Sequence, residues 1–159
     1  MKCNLSCAYN KRSKMFWWEN IEIPIKDLDE IWYQLTFYFK VSSSRKINIF
    51  GYEACCHYLK DIKETVENNK DMDKDNLKLF LKFKEHIKNL LRDICYRGYI
   101  MTSPSICDEY INIFNKCEKE YNSSSLDMVK LIELFEQLHI EERTLIGKMY
   151  GLKIIKNAK

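Results

Sequence analysis

Glycine and proline are scarce in this sequence, with four and two residues respectively among 159. Folds built from many short strands need them in their tight turns, because glycine supplies positive φ angles and proline presets the turn backbone. The scarcity argues against an all-β fold and against collagen-like or linker-rich chains. Apolar residues make up 46% of the chain, enough for one sizeable core. We therefore expect one folded, mainly helical domain.

Long apolar runs are absent too. A stretch such as IWYQLTFYF, residues 31–39, is about half the roughly 18–20 residues that a membrane-spanning helix requires. No apolar signal-peptide core follows the first residues. The seven cysteines are odd in number, and Cys107 and Cys117 lie ten residues apart on one predicted helix, too far to pair. We expect reduced thiols in an intracellular protein, with the cytoplasm favoured over a mitochondrial or membrane-peripheral location.

Basic residues are concentrated at the two ends of the chain. Residues 1–14 and 148–159 each contain four basic and no acidic side chains, so with a total of +3 the intervening residues 15–147 carry a net −5. A folded domain that reads duplex nucleic acid needs a basic face, since phosphate neutralisation supplies most non-specific affinity. Nucleic acid is therefore not an expected partner of the folded body. The basic ends are typical of solubilising tails, although anionic lipid is an alternative partner.

Apolar residues recur at intervals of three and four, the period of an amphipathic α-helix. Pro24 suits the first turn of a helix, where its missing N–H is not needed. Ser103 and Pro104 predict the start of another helix, with Ser103 as the N-cap and Pro104 in the first turn. Short polar segments separate the periodic stretches and make successive helices neighbours. We predict an all-α fold, an antiparallel bundle of five or six helices in a single domain, with helices near residues 25–39, 47–67, 75–97, 104–121, 125–138 and 141–150.

Three parts of the chain are distinguished by this pattern. Residues 1–22 are predicted as a basic, aromatic and partly ordered N-terminal segment, residues 23–151 as the helical bundle domain, and residues 152–159 as a basic tail that frays. No 34-residue repeat is present, so a helical solenoid is not expected.

Potential metal ligands and nucleophiles are densest around His57, which follows two cysteines and has Glu53 one helical turn earlier. Glu53 and His57 have the i,i+4 spacing of a helical metal pair, but a structural zinc needs four ligands and no second cluster matches. We therefore predict packing here rather than metal binding, and no cofactor. His86 and His139 lie beside acidic residues, and we expect both on the surface. Since no glycine-rich phosphate loop occurs either, the sequence predicts a protein that is not an enzyme.

Three large aromatic residues, Phe16, Trp17 and Trp18, follow directly on the acid-free basic segment. Tryptophan is favoured at protein and membrane interfaces because it joins a large apolar area to one polar group. The competing interpretation is that the two tryptophans, Trp17 and Trp18, fold back and cap the bundle. We take Phe16, Trp17, Trp18 and Trp32 as the candidate partner-binding residues.

Three functions stay open on the sequence alone. The first is a non-catalytic α-helical module that presents an apolar groove or patch to a protein partner. Lysine outnumbers arginine about four to one, a bias typical of AT-rich coding that favours a viral or parasite adaptor or inhibitor. The second is peripheral membrane or organelle association through residues 1–18. The third is a small helical enzyme or nucleic-acid factor, which requires His and acidic side chains converging in a buried cleft. The partner and the oligomeric state stay open.

Overall fold

The computed structural model describes residues 3–21, 23–25, 27–40, 46–96 and 104–158. The protein is mostly helical, as predicted. None of the described helices is both long and apolar enough to cross a membrane. In chain order, the described elements are β1 (Cys7–Asn10), β2 (Met15–Trp18), α1 (Leu28–Tyr38), β3 (Asn48–Phe50), α2 (Gly51–Glu67), α3 (Lys74–Tyr96), a 3-10 turn (Pro104–Cys107), α4 (Asp108–Tyr121) and α5 (Met128–Ala158).

The all-α prediction is wrong in one respect, because three strands form an antiparallel sheet in the order β2-β1-β3. The hairpin turn between β1 and β2 contains neither glycine nor proline. Instead, the Asn10 side-chain oxygen accepts hydrogen bonds from the N–H groups of Arg12 and Ser13, both at 2.9 Å. Lys14 completes the turn with a φ of 57°. An asparagine side chain can mimic a backbone turn, so the scarcity of glycine does not exclude a hairpin.

The first two helices begin later than predicted. α1 begins at Leu28, where the Asp27 carboxylate accepts a hydrogen bond from the Glu30 N–H at 3.0 Å. α2 begins at Gly51, because the preceding residues pair with β1 instead of joining the helix. Gly51 has a φ of 65°, and a Cβ there would collide with the carbonyl oxygen of Tyr38. Only glycine allows this abrupt change from strand to helix.

The chain forms two compact units, unit 1 (Met1–Lys84) and unit 2 (Glu85–Lys159), and α3 passes from one into the other. Neither of the predicted boundaries, near residues 22 and 151, marks this division. The core of unit 1 is rich in aromatic side chains. The Phe16 ring lies 5.1–5.6 Å, between centroids, from the rings of Tyr58, Phe80 and Phe83.

In unit 2, the predicted fifth and sixth helices form one continuous helix, α5. No glycine or proline interrupts residues 133–146, and His139 and Glu142 are buried, so the inward-facing side of the helix continues through the predicted break. Residues 152–158, predicted as a fraying tail, belong to the same helix. α4 packs along α5, and Tyr110, Phe114 and Phe135 are fully buried between them.

Candidate binding surface

The sheet in unit 1 has one buried face and one open face. Side chains alternate along a strand, and directly paired residues of antiparallel strands share a face. The buried face contains Cys7, Tyr9, Phe16, Trp18 and Ile49, none more than 5% exposed. Their neighbours point the other way: Ala8, Asn10, Met15, Trp17, Asn48 and Phe50 are all half-buried or exposed.

Large apolar side chains lie on the open side of the sheet. Ala8 pairs with Trp17 on one neighbouring strand and with Phe50 on the other. Trp17 is 49% exposed and Phe50 is 48% exposed, and Met15 lies two residues before Trp17 on the same face. Ala8, which lies between these two residues in the sheet, has only a methyl side chain. We call Ala8, Met15, Trp17 and Phe50 the open apolar face.

Polar and basic groups border the open apolar face at its hairpin end. The Asn10 side-chain amide donates a hydrogen bond to the Asn48 side-chain oxygen at 3.0 Å. The turn beyond contributes Lys11, Arg12 and Lys14, and the Nζ of Lys14 lies 3.7 Å from a carboxylate oxygen of Asp61. The three strands and the turn contain no acidic residue. The surface is therefore apolar in its middle and positively charged at one end.

The outer edge of β2 is covered by a side chain from α3. The Asn76 oxygen accepts a hydrogen bond from the Phe16 N–H at 2.9 Å, and the Asn76 amide donates to the Phe16 carbonyl at 2.6 Å. One buried asparagine therefore satisfies both backbone groups of Phe16 at this edge. Unpaired strand edges invite association with other chains, so this contact protects the edge while the open apolar face stays accessible.

Of the four candidate partner-binding residues, the structure places Trp17 on the open apolar face. Phe16, Trp18 and Trp32 are at most 3% exposed and pack in the core of unit 1. These three side chains are thus core residues rather than surface residues. Phe50 was missed because it fits the helical period of the predicted second helix. No sequence signal separates Trp17 from its neighbours, since all four residues of β2 are apolar.

The candidate metal ligands Glu53 and His57 are half-buried on α2. The His57 ring stacks on the ring of Tyr9, with centroids 6.0 Å apart and planes 24° apart. Among the described residues, no three His, Cys, Asp or Glu side chains are placed to hold a metal ion. The ring of His57 thus contributes to packing against Tyr9.

A buried polar network lies in unit 2 and includes His139, which we expected on the surface. That expectation is wrong, since His139 is 4% exposed. Its Nδ1 lies 3.6 Å from one carboxylate oxygen of Glu142, and the Tyr110 hydroxyl donates a hydrogen bond to the other oxygen at 2.8 Å. Buried charges are tolerated when they are paired and hydrogen-bonded. The network therefore joins α4 to α5 through polar contacts inside an otherwise apolar interface.

A cavity of about 300 Å³ lies in unit 1 beside the hairpin turn. Its lining includes Lys14, Asp61, Asp73 and Asn76. Burial raises the pKa of Asp61 above its ordinary value; Lys14 opposes the shift and Glu64 adds to it. The cavity therefore holds one ion pair and exposed carboxylates, and Asn76 links its wall to the edge of β2.

Comparisons of this chain with protein-family models, with curated proteins and with solved structures found no match.

Proposed function

We propose that this protein is a non-catalytic interaction module and that the open apolar face is its docking surface. The proposed partner is a protein segment that carries large apolar side chains and acidic residues. The observation that carries the proposal is the exposure of Trp17 and Phe50, side by side across Ala8, on a sheet whose other face is fully packed.

The exposed apolar area of Trp17 and Phe50 is large enough to contribute to binding. Aromatic side chains bury roughly 150–250 Å² each, and about half of Trp17 and half of Phe50 are exposed. Covering about 100 Å² on each ring, at about 25 cal/mol per Å², is worth about 2.5 kcal/mol per residue. The pair therefore contributes about 5 kcal/mol before the costs of association, enough to make both residues hot spots.

The charge pattern supports an acidic partner. Lys11, Arg12 and Lys14 border the open apolar face, and no acid lies on its strands or turn. Complementary charges raise association rates and suppress wrong partners, and they are sensitive to salt. Lys14 already contacts Asp61, so Arg12, which is exposed at the turn, is the residue best placed to meet a carboxylate.

Membrane association through residues 1–18 is the alternative that shares this chemistry. Cys3, Leu5, Cys7 and Tyr9 are buried in unit 1, so deleting the segment would remove two strands rather than a free anchor. Point substitutions on the open apolar face therefore provide the appropriate test. We favour a protein partner because the aromatic row lies across a β-sheet, whereas interfacial anchors typically use an amphipathic helix.

A catalytic role receives less support from the geometry. His139 and Glu142 are the described residues that come nearest to the converging histidine and acid required by that hypothesis. Both are sealed in the interior together with Tyr110, and none of the three lines the cavity described above. We propose that they hold α4 and α5 together rather than act on a substrate.

The experiment selects binders for the intact protein from a displayed library of randomised twelve-residue peptides. Binding of the selected peptides is then measured by fluorescence anisotropy for the wild type, Trp17→Ala and Phe50→Ala. Tyr33→Ala is the matched control, because Tyr33 is an aromatic residue that is 72% exposed on α1. Vesicles of phosphatidylcholine with and without phosphatidylserine form a parallel arm, measured by sedimentation.

We expect peptides enriched in acidic and large apolar residues whose affinity falls at least about tenfold with Trp17→Ala or Phe50→Ala. Tyr33→Ala leaves their affinity unchanged, and circular dichroism shows that all variants fold. Selected peptides that bind Trp17→Ala as well as the wild type contradict the proposal. Vesicle binding that depends on Trp17, without peptide binding, identifies the membrane surface as the partner instead.

A further inference from the structure

Two buried cysteines of unit 2 lie in contact with each other. Cys95 is in the last turn of α3, and Cys107 ends the 3-10 turn before α4. The Cys107 thiol donates a hydrogen bond to the carbonyl oxygen of Leu91, with Sγ and O 3.6 Å apart. In an α-helix that same carbonyl accepts the N–H of the residue four positions later, which is Cys95. Cys107 is therefore held against the helical turn that carries Cys95.

The two thiols also perturb each other. The neighbouring Cys107 thiol lowers the pKa of Cys95, while burial acts in the opposite direction. The pKa of Cys107 is raised, first by the neighbouring Cys95 and then by burial. Of the two sulfurs, Cys95 is thus the one that ionises first, and Cys107 keeps its proton. A thiolate beside a second thiol is the arrangement found in cysteines that oxidise reversibly.

We infer that Cys95 and Cys107 are a dithiol modification site that a peroxide converts to an intramolecular disulfide. The site lies in unit 2, so the inference is independent of the open apolar face. The two residues are twelve positions apart in the sequence, and the Cys107 sulfur lies against the turn of α3 that carries Cys95. The other cysteine of unit 2, Cys117, lies on α4 and takes no part in this contact.

The reaction proceeds in two balanced steps. The Cys95 thiolate attacks one oxygen of hydrogen peroxide, the O–O bond breaks, and Cys95 sulfenic acid forms as hydroxide leaves. The Cys107 sulfur then attacks the Cys95 sulfur, the S–O bond breaks, and the S–S bond forms. The two thiol protons leave with the two hydrogens and two oxygens of the peroxide as two molecules of water. The cysteine pair loses two electrons and the peroxide gains them. Opening of the last turn of α3 admits the oxidant, since helix ends open more readily than cores.

The sequence provides a direct readout, because Arg97 lies between the two cysteines. Trypsin separates Cys95, in the peptide of residues 93–97, from Cys107, in the peptide of residues 98–116, while Cys117 begins the next peptide. The reduced, full-length protein is treated with a few equivalents of hydrogen peroxide, free thiols are alkylated in denaturant, and the digest is analysed by mass spectrometry. We expect the peptide pair 93–97 and 98–116 joined by a disulfide, and the loss of two of the seven alkylated thiols.

Controls separate the pair from general thiol oxidation. Cys95→Ala and Cys107→Ala each abolish the joined peptide, whereas Cys117→Ala, which removes another buried cysteine of the same unit, leaves its yield unchanged. In 8 M urea the joined peptide loses its preference over other cysteine pairings, because the native contact is gone. The inference is overturned if the folded protein forms a different cysteine pair, keeps all seven thiols, or gives the same pairing pattern in urea.

Discussion

Replacing Asn76 tests how the sheet of unit 1 is held. In the folded protein, this 5%-exposed side chain makes two hydrogen bonds with the backbone of Phe16, one as acceptor and one as donor. Asn76→Ala removes both partners and leaves a buried N–H and a buried carbonyl unsatisfied. Each such group costs about 1–3 kcal/mol, so we expect unit 1 to lose about 2–6 kcal/mol of stability. With a urea m-value of about 1 kcal/mol per M, the midpoint falls by about 2 M or more.

Asn76→Asp adds a pH dependence to the same contact. A carboxylate still accepts from the Phe16 N–H, but it faces the Phe16 carbonyl, to which only a protonated carboxyl can donate. Burial and this carbonyl raise the pKa of the introduced carboxyl in the folded state above the roughly 3.9 of the unfolded chain. The folded state then binds more protons than the unfolded state, so stability falls as the pH rises above about 4. Below that pH both states are protonated and the variant approaches the wild type.

Tryptophan fluorescence measures these effects in unit 1 alone, because all three tryptophans lie there. Asn89→Ala is the matched control, since it makes the same substitution on the same helix outside unit 1. A midpoint for Asn76→Ala no lower than that of Asn89→Ala would refute the edge contact. Equal stability of Asn76→Asp at pH 4 and pH 7 would refute the protonation argument.

Three further predictions concern other contacts. Gly51→Ala destabilises unit 1 by more than about 2 kcal/mol in fluorescence-detected urea unfolding, because the positive φ of Gly51 and the neighbouring Tyr38 carbonyl both oppose a Cβ. Gly147→Ala has the opposite effect and stabilises α5 by up to about 1 kcal/mol, because the space around the added Cβ is open. Tyr110→Phe removes the hydroxyl that donates to Glu142 and lowers the stability of unit 2 by about 1.5–3 kcal/mol by circular dichroism, with the tryptophan midpoint unchanged. Burial and nearby carboxylates raise the pKa of Tyr9 to about 12, so the stability of unit 1 falls as the pH rises above about 10. Tyr9→Phe makes this alkaline loss of stability smaller. If the stability of Tyr9→Phe has the same alkaline pH dependence as that of the wild type, the burial of the Tyr9 hydroxyl is contradicted.

The helical part of the fold was predictable because the buried side of a packed helix appears in the sequence as apolar residues spaced three and four positions apart. On α4, Tyr110, Phe114 and Cys117 follow the three- and four-residue spacing of an amphipathic helix, and all three are fully buried. The start of α3 at Lys74 lies one residue from the predicted start at residue 75. The break predicted within α5 had no such basis, since no helix-breaking residue lies there and polar residues were taken as surface.

The sheet was not predictable because its determinants are distant or take an unusual form. The hairpin uses an Asn10 side chain in place of a turn glycine, and its edge is closed by Asn76, sixty residues away from Phe16. Four successive apolar residues in β2 hide which side chains face the core. The sequence therefore pointed to the segment that carries Trp17 on the open apolar face, but not to Phe50 on the neighbouring strand.

The closed edge and the open face together restrict how a partner can bind. Because Asn76 occupies the backbone groups of Phe16, we expect a peptide on the open apolar face to be held by side chains rather than by pairing with β2 at Phe16. Selected peptides with N-methylated backbone amides should therefore keep their affinity within about threefold, whereas strand-adding peptides lose main-chain hydrogen bonds on the same change. Raising the salt concentration should weaken binding through the basic turn, and Arg12→Ala should reduce that salt dependence. Titration calorimetry measures both effects, and a methylated peptide that no longer binds would show that the partner pairs with a strand edge instead.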